Sequence, residues 1–202
     1  MTSSFWIILI TVLAYGLVHS LLASLQAKAL ARRWFGSNTQ RWFRLGYNLV
    51  AGITLLPVLL LPVLLPDRTL YRIPLPWLLL SLAGQIAALM TVLIGLRHTG
   101  TGEFLGLRQL LAPGETTPPQ LVTGGLYRIV RHPIYTCSLA FIWLMPLMSF
   151  NLLALNIGLT VYIWIGAALE ERKLHSEFGE AYSAYKRRTP MVIPGLQLLR
   201  RR

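Results

Sequence analysis

The chain has 202 residues, of which 54% are hydrophobic and only 13% charged, and its mean hydropathy is +0.56. An ordinary soluble domain, with about 25% charged residues, is excluded, and so is a disordered chain, which lacks the apolar surface to collapse. The net charge of +12 would point to nucleic acid in a soluble protein, so the position of the charges decides what it means. The single cysteine, Cys137, allows no intrachain disulfide.

A bilayer core of about 30 Å needs roughly 20 apolar residues in a helix. Residues 5–23, 45–65 and 77–96 supply three such runs. The first has no basic residue ahead of it and is long for a signal peptide, so it reads as a retained span. Residues 133–169 contain no Asp, Glu, Lys or Arg, which is too long for one crossing and enough for a tight pair. Asn151 and the Met145-Pro146 step mark the turn between them. The expected fold is an all-α integral membrane protein of about five transmembrane helices, the last two a hairpin. Four charge-free runs leave too little polar surface for a soluble bundle.

The basic residues then sort by loop. Lys28, Arg32, Arg33, Arg41 and Arg44 lie between spans one and two with no acid among them. Arg97, Arg108, Arg128 and Arg131 precede span four, and Lys173, Lys186, Arg187, Arg188 and Arg200 follow span five. Basic loops stay cytoplasmic, which places the amino terminus outside and the carboxyl terminus inside. The positive charge is then a topology signal plus contact with anionic head groups of the lipid bilayer. No nucleic acid partner is expected, because no binding motif accompanies the charge. Residues 112–120, with Pro113, Gly114, Pro118 and Pro119, read as a loop. It divides the chain into an amino-terminal region of three spans, 1–111, and a carboxyl-terminal region, 112–202, that holds most of the unusual polar chemistry.

The densest polar set is Gly124-Gly125-Leu126-Tyr127-Arg128-Ile129-Val130-Arg131-His132-Pro133-Ile134-Tyr135. Proline is favoured in the first turn of a helix, so Pro133 is expected to open span four with His132 at or beside the cap. Arg131, His132 and the free N–H groups of that helix end would make an anion site suited to a carboxylate. The plainer reading is that Arg128 and Arg131 anchor the helix to lipid phosphates. The second set is Glu170-Glu171 at the far end of span five, where two acids oppose the helix dipole. Such a local conflict is the kind found at functional sites, with pairing to Arg172 and Lys173 as the plainer alternative. A hairpin brings the two sets together, giving one site a cationic and an anionic pole, which suits a zwitterion.

Leu174, Phe178, Tyr182 and Tyr185, spaced by four, four and three, form an apolar stripe on a helix. That predicts a cytoplasmic amphipathic helix on the membrane surface, compatible with a lid. His19, Tyr47, Asn48 and Gln85 read chiefly as hydrogen-bonding glue between spans. His19, His98, His132 and His175 show no paired spacing of three or four, so no metal site is expected.

The order Gly-x-Tyr-x-x-x-Arg-His-Pro-x-Tyr, then a hydrophobic stretch, then Glu-Glu resembles the integral membrane methyltransferases. These include isoprenylcysteine carboxyl methyltransferase and the phospholipid N-methyltransferases. The tail Phe178-Gly179-x-x-Tyr182-x-x-Tyr185, followed by Arg187, Arg188 and Pro190, is similar to the same family, and the likeness covers residues 121–195. It implies S-adenosylmethionine as methyl donor, reached from the cytoplasm, and a small or lipophilic acceptor reached from the bilayer. It also implies that Tyr127, Arg131, His132, Pro133, Tyr135, Glu170 and Glu171 bind the cofactor. Arg131 and His132 would sit near its carboxylate and Glu171 near its ammonium or ribose, with Tyr135 and Tyr182 packing on its sulfonium or adenine. Arg187 or Arg188 would hold an anionic acceptor. Cys137 stands where family members often have glycine.

Met145-Pro146-Leu147-Met148, Tyr162-Ile163-x-Ile165-Gly166 and Pro190-Met191-x-Ile193-Pro194 resemble the bacterial thiol S-methyltransferases of this superfamily. His19-Ser20-Leu21-Leu22-Ala23-Ser24 and Arg41-Trp42-Phe43-Arg44 resemble the same branch more loosely. The resemblance therefore implies a bacterial inner membrane enzyme, with a thiol or carboxylate acceptor. The alternatives are a non-catalytic membrane factor that keeps the fold and a relative of the sterol-type reductases.

Overall fold

The computed structural model describes residues 3–36, 39–98 and 120–195. It is mostly helical: α1 (Ser3–Ala23), α2 (Leu25–Phe35), α3 (Thr39–Leu64), α4 (Trp77–His98), α5 (Pro133–Trp143) and α6 (Phe150–Arg188). Among the described residues, four helices are long and apolar enough to cross a membrane, namely α1, residues Trp42–Leu64 of α3, residues Trp77–Gly95 of α4, and α6. The apolar stretch of α6 ends at Leu169, before the two glutamates.

The expected fourth span is shorter than the apolar run suggests. Helix α5 has 11 residues, about 16 Å at 1.5 Å per residue. It stops at Leu144 because Met145 precedes Pro146, and a residue in that position is pushed out of the helical region. In place of a simple turn the chain forms strand β2 (Leu147–Ser149), which pairs antiparallel with β1 (Thr69–Arg72). Thr69 faces Ser149, and Arg72 faces Leu147. The loop expected at 112–120 lies, but for Gln120, outside the described residues.

The chain forms two compact units. Among the described residues, the first comprises 3–36, 39–73, 96–98 and 147–162, and the second 74–95, 120–146 and 163–195.

In the first unit Phe5, Ile8, Val12, Val58 and Ala154 make the buried core. Helix α1 runs against the first half of α6 so closely that a Cβ on Gly158 would lie 2.8 Å from Val12; small residues allow such approach. Helix α2 starts at Ser24, whose hydroxyl accepts from the Ala27 amide at 3.1 Å, a standard N-cap. Arg32 and Arg33 in its last turn suit the negative end of the helix dipole. The end of α3 is tied down by Asn151, whose Nδ2 donates to the carbonyls of Pro62, Leu65 and Pro66. Those carbonyls lack intrahelical partners. Asp67 Oδ1 accepts from the Asn151 amide at 3.1 Å and caps the start of α6.

In the second unit α4 is bonded to α5 and the turn after it. The Ser81 hydroxyl donates to the Leu144 carbonyl, and Gln85 Nε2 donates to the Phe141 carbonyl at 3.0 Å. Gln85 therefore acts as the glue its position inside a span predicts.

Candidate functional site

The site is built where three segments of the second unit meet. Pro133 is the first residue of α5 and His132 its N-cap, as the sequence predicts. The His132 side chain makes no capping bond and is left for other contacts. The two amides ahead of the helix do not form an open anion site. Arg131 N–H donates to the Pro190 carbonyl at 2.8 Å and His132 N–H to the Met191 carbonyl at 3.0 Å. Thr136 Oγ1 donates to the Val192 carbonyl at 2.6 Å. Residues 131–136 are thereby stitched to 190–192.

Helix α6 does not continue straight to Arg188. Gly179 has φ +53° and ψ −124°, a conformation open in practice only to glycine. Residues 171 and 186 would stand about 22 Å apart along a straight helix, yet Lys186 Nζ lies 3.1 Å from Glu171 Oε2. The chain reverses at Gly179 and lays residues 182–186 back along 171–175. The stripe Leu174, Phe178, Tyr182 and Tyr185 is therefore split between two helical pieces and does not mark one surface helix.

Glu171 is the centre of the result, with its side chain only 8% exposed. Arg131 Nε donates to its Oε1 at 2.6 Å, and Arg131 Nη2 forms an ion pair with the same oxygen. The remaining guanidinium contacts go to the carbonyls of Lys186 and Thr189. His132 Nε2 stands 3.5 Å from Glu171 Oε1, and His132 Nδ1 stands 3.5 Å from Glu170 Oε2. Burial disfavours the charge on Glu171, but His132, Arg131 and Lys186 outweigh it and hold the carboxyl at about 2. Burial likewise disfavours a charged His132, and the two carboxylates outweigh it, raising the imidazole above its usual value. Glu170 is also held below the usual range: burial opposes its charge, but His132, Tyr135 and Lys173 prevail.

Tyrosines surround this network. The Tyr135 ring stacks on His132 at 5.3 Å with planes 17° apart. Tyr182 is buried with its hydroxyl beside Glu171 and Arg131, and burial followed by the Glu171 charge pushes it well above the usual phenol range. Tyr185 Oη donates to the Tyr127 carbonyl at 2.7 Å, and burial raises that phenol to about 12.

The structure thus gathers Arg131, His132, Pro133, Tyr135, Glu170, Glu171 and Tyr182, with Tyr127 bound at the edge through its carbonyl. Arg187 is elsewhere: its Nη2 donates to Glu180 Oε1 at 2.7 Å, both side chains exposed. Arg188 is exposed as well. Lys186, Thr136 and Thr189 were not singled out as site residues by the sequence. Thr136 and Thr189 act through backbone carbonyls, which no residue pattern records. Lys186 reaches the site only because of the reversal, for which Gly179 was the available sign. Among the described residues no group of three or more His, Cys, Asp or Glu stands close enough to hold a metal ion.

Comparison with known proteins places the chain among the integral membrane methyltransferases. Residues 77–181, just over half of it, match the family described as Phospholipid methyltransferase, and the chain belongs to that family. Methanethiol S-methyltransferase 1 of Bradyrhizobium diazoefficiens is 43% identical over 95 residues, covering 46% of this chain and 33% of that protein. Methanethiol S-methyltransferase of Pseudomonas deceptionensis is 37% identical over 98 residues, 47% of this chain and 37% of that protein. Cobalt-zinc-cadmium resistance protein CzcN of Cupriavidus metallidurans is 36% identical over 88 residues, 40% of this chain and 38% of that protein. The chain thus spans little more than a third of the length of the curated relatives it matches. No solved structure matches.

Proposed function

We propose that this chain is an S-adenosylmethionine-dependent methyltransferase of a bacterial inner membrane, acting on a small thiol. The observation that supports the donor reading is that two side chains of opposite charge in the network keep exposure, Glu170 and a Lys186 whose ammonium pairs with Glu171 at 3.1 Å. The Glu170 carboxylate is 46% exposed and the Lys186 ammonium 55% exposed, while Arg131 and Glu171 are buried against each other. That donor set fits a molecule bearing an ammonium, a sulfonium and a carboxylate. Glu170 would take its cationic groups and Lys186 its carboxylate, with the ring of Tyr135 against the sulfonium or adenine. When bound, the donor supplies a methyl group activated on sulfur.

Arg131 and Glu171 have a different task in this reading. They hold the end of α6, the start of α5 and residues 186–192 in one arrangement, so that Glu170, Tyr135 and Lys186 are presented together. Methyl transfer by direct displacement depends on alignment and proximity, and a rigid frame of charge-assisted hydrogen bonds supplies that. A thiol acceptor is supported by the methanethiol S-methyltransferases among the relatives. The region 112–202 carries the donor site in this reading, and the carboxyl-terminal end of α6 faces the cytoplasm.

The test is calorimetric titration of the full chain in lipid nanodiscs with S-adenosylmethionine. Saturable binding, weakened about tenfold or more in Glu170→Ala and Lys186→Ala, is expected. Methyl transfer from labelled donor to methanethiol, beside a carboxylate and an alcohol acceptor, then tests the acceptor. Absence of binding to folded wild type would overturn the donor reading and favour a non-catalytic membrane factor. Transfer to the carboxylate alone would overturn the thiol.

A further inference from the structure

The first unit contains a second polar cluster, which the donor site does not use. His19 of α1 is half-buried within a ring of three tyrosines. Tyr162 Oη lies 2.7 Å from His19 Nδ1, and Tyr47 Oη is hydrogen-bonded to His19 Nε2. The ring centroids of Tyr15, Tyr47 and Tyr162 stand 5.6, 4.9 and 5.7 Å from that of His19. Tyr47 also forms part of the wall of an apolar pocket of about 490 Å³ between the end of α1, α2 and the start of α3, with Leu22, Phe35, Trp42, Phe43 and Val50. That volume lies within the roughly 300–1,000 Å³ of small-molecule sites, which are mostly apolar with a few fixed polar groups.

Tyr47 both lines the apolar pocket and bonds a histidine nitrogen through its hydroxyl, so one side chain links pocket and histidine. In neutral imidazole one nitrogen donates and the other accepts. With the ring proton on Nδ1 and donated to Tyr162, Nε2 is the acceptor and Tyr47 the donor. A ligand X–H in the pocket can then pass its proton to Tyr47 Oη while the proton of Tyr47 moves to His19 Nε2. The X–H and Tyr47 O–H bonds break, new O–H and N–H bonds form, and the electron pair stays on X. The product is an anion beside Tyr47 and an imidazolium whose two N–H groups donate to Tyr47 and Tyr162.

We infer that this pocket is a binding site for a small apolar molecule with one weakly acidic X–H group, and that Tyr47 and His19 receive its proton. The choice of a thiol as that group rests on the thiol reading above; pocket and relay rest on the geometry of the first unit alone. Gly46 lines the pocket, and a Cβ there would meet nothing within 4 Å. A side chain can therefore leave the backbone at Gly46 without a clash at its Cβ, and a larger one takes up pocket volume.

The probe is thiophenol, whose thiolate has its own ultraviolet band, added to the full chain in nanodiscs with no methyl donor, below the pH at which the free thiol ionises. Saturable binding with appearance of the thiolate band is expected. Gly46→Leu should weaken binding about tenfold or more. Tyr47→Phe and His19→Gln should keep binding within a few-fold and lose the band. Thioanisole, the same ring without the S–H, should bind more weakly and give no band. Equal binding of the two compounds without a thiolate band would mean a plain apolar cavity open to lipid, and the inference falls. It falls too if Gly46→Leu binds as wild type does, or if the band survives His19→Gln. Titration of the same preparations with S-adenosylmethionine reads the donor site separately, so failure of one site is distinguishable from failure of the other.

Discussion

The two polar clusters are both organised around a histidine, and they are built from opposite materials. His19 sits among apolar helices, bonded to the hydroxyls of two tyrosines and packed beside the ring of a third. His132 stands at the head of α5 and is met by two carboxylates, one of which, Glu171, also pairs with Arg131 and Lys186. A charge within an apolar span is costly, so the His19 cluster at rest is a neutral donor–acceptor chain, and an imidazolium there needs the ligand's anion beside it as a counter-charge. Past Leu169 the cost falls, and ions can be packed provided each is paired. The difference predicts how each cluster fails: the first by losing a hydrogen bond, the second by stranding a buried charge.

The largest effect is therefore expected at Glu171. Glu171→Ala leaves Arg131 buried without its partner, a loss of about 3–5 kcal/mol for a broken buried pair. Hydrogen exchange in residues 186–192 should accelerate strongly, while peptides of α1 in the first unit stay as they are. Acceleration in both units alike would erase the comparison. The same contrast appears with pH. The Glu171 carboxyl is lowered from 4.5 to about 2 on folding, so its stabilisation is complete above pH 4.5 and is lost as the pH falls toward 2. His132 is raised above 6.5, so its contribution is complete below pH 6.5 and is lost as the pH rises through the higher folded value. Thermal unfolding followed against pH should show both limbs; Glu171→Gln should shrink the acid limb to the part that Glu170 contributes, and His132→Gln should remove the alkaline one.

Intermediate effects belong to hydrogen bonds and backbone. Asn151→Ala removes the amide that satisfies three carbonyls at the end of α3, at a cost of about 1–3 kcal/mol for stranded buried groups. Thermal unfolding measures it, and a change near zero would mean that water replaces the amide. Gly179→Ala meets no steric neighbour at its Cβ, so its cost is that of a non-glycine residue held in a sparsely populated backbone region, about 1–3 kcal/mol. It should loosen Lys186 from Glu171 and weaken donor binding without altering the thiophenol pocket.

Much of the candidate site is legible in the sequence because its signs are local. Pro133 marks a helix start by its missing N–H, and Glu170-Glu171 stand out because they oppose a helix dipole. Lys186 and Thr189 are illegible for a non-local reason: they arrive through the backbone of one residue, Gly179, and a spacing of four, four and three reads the same whether or not the helix breaks. The short α5 was hidden by composition, since an apolar run of 37 residues says nothing of where its backbone leaves the helix. The pairing of β1 with β2 was hidden by length, three and four residues being too few for a period of two to register. The His19 cluster was half legible: His19 and Tyr47 read as glue between spans and Tyr162 only as part of a family resemblance, and no spacing joins positions 19, 47 and 162.

The smallest effect on stability, and the sharpest on function, is expected at Arg187. Its pair with Glu180 is exposed at both ends, and such pairs contribute about 0.2–1 kcal/mol. Arg187→Ala should therefore unfold almost as wild type does and leave donor binding unchanged, because the side chain lies outside the Glu171 network. If Arg187 holds an anionic acceptor, the variant should show a raised KM for a carboxylate-bearing thiol and an unchanged KM for methanethiol, which has no second charge to hold. Equal KM values for both acceptors in variant and wild type would leave Arg187 a surface cation. The carboxyl-terminal helical piece would then serve the reaction only through Tyr182, Tyr185 and Lys186 on its inner side.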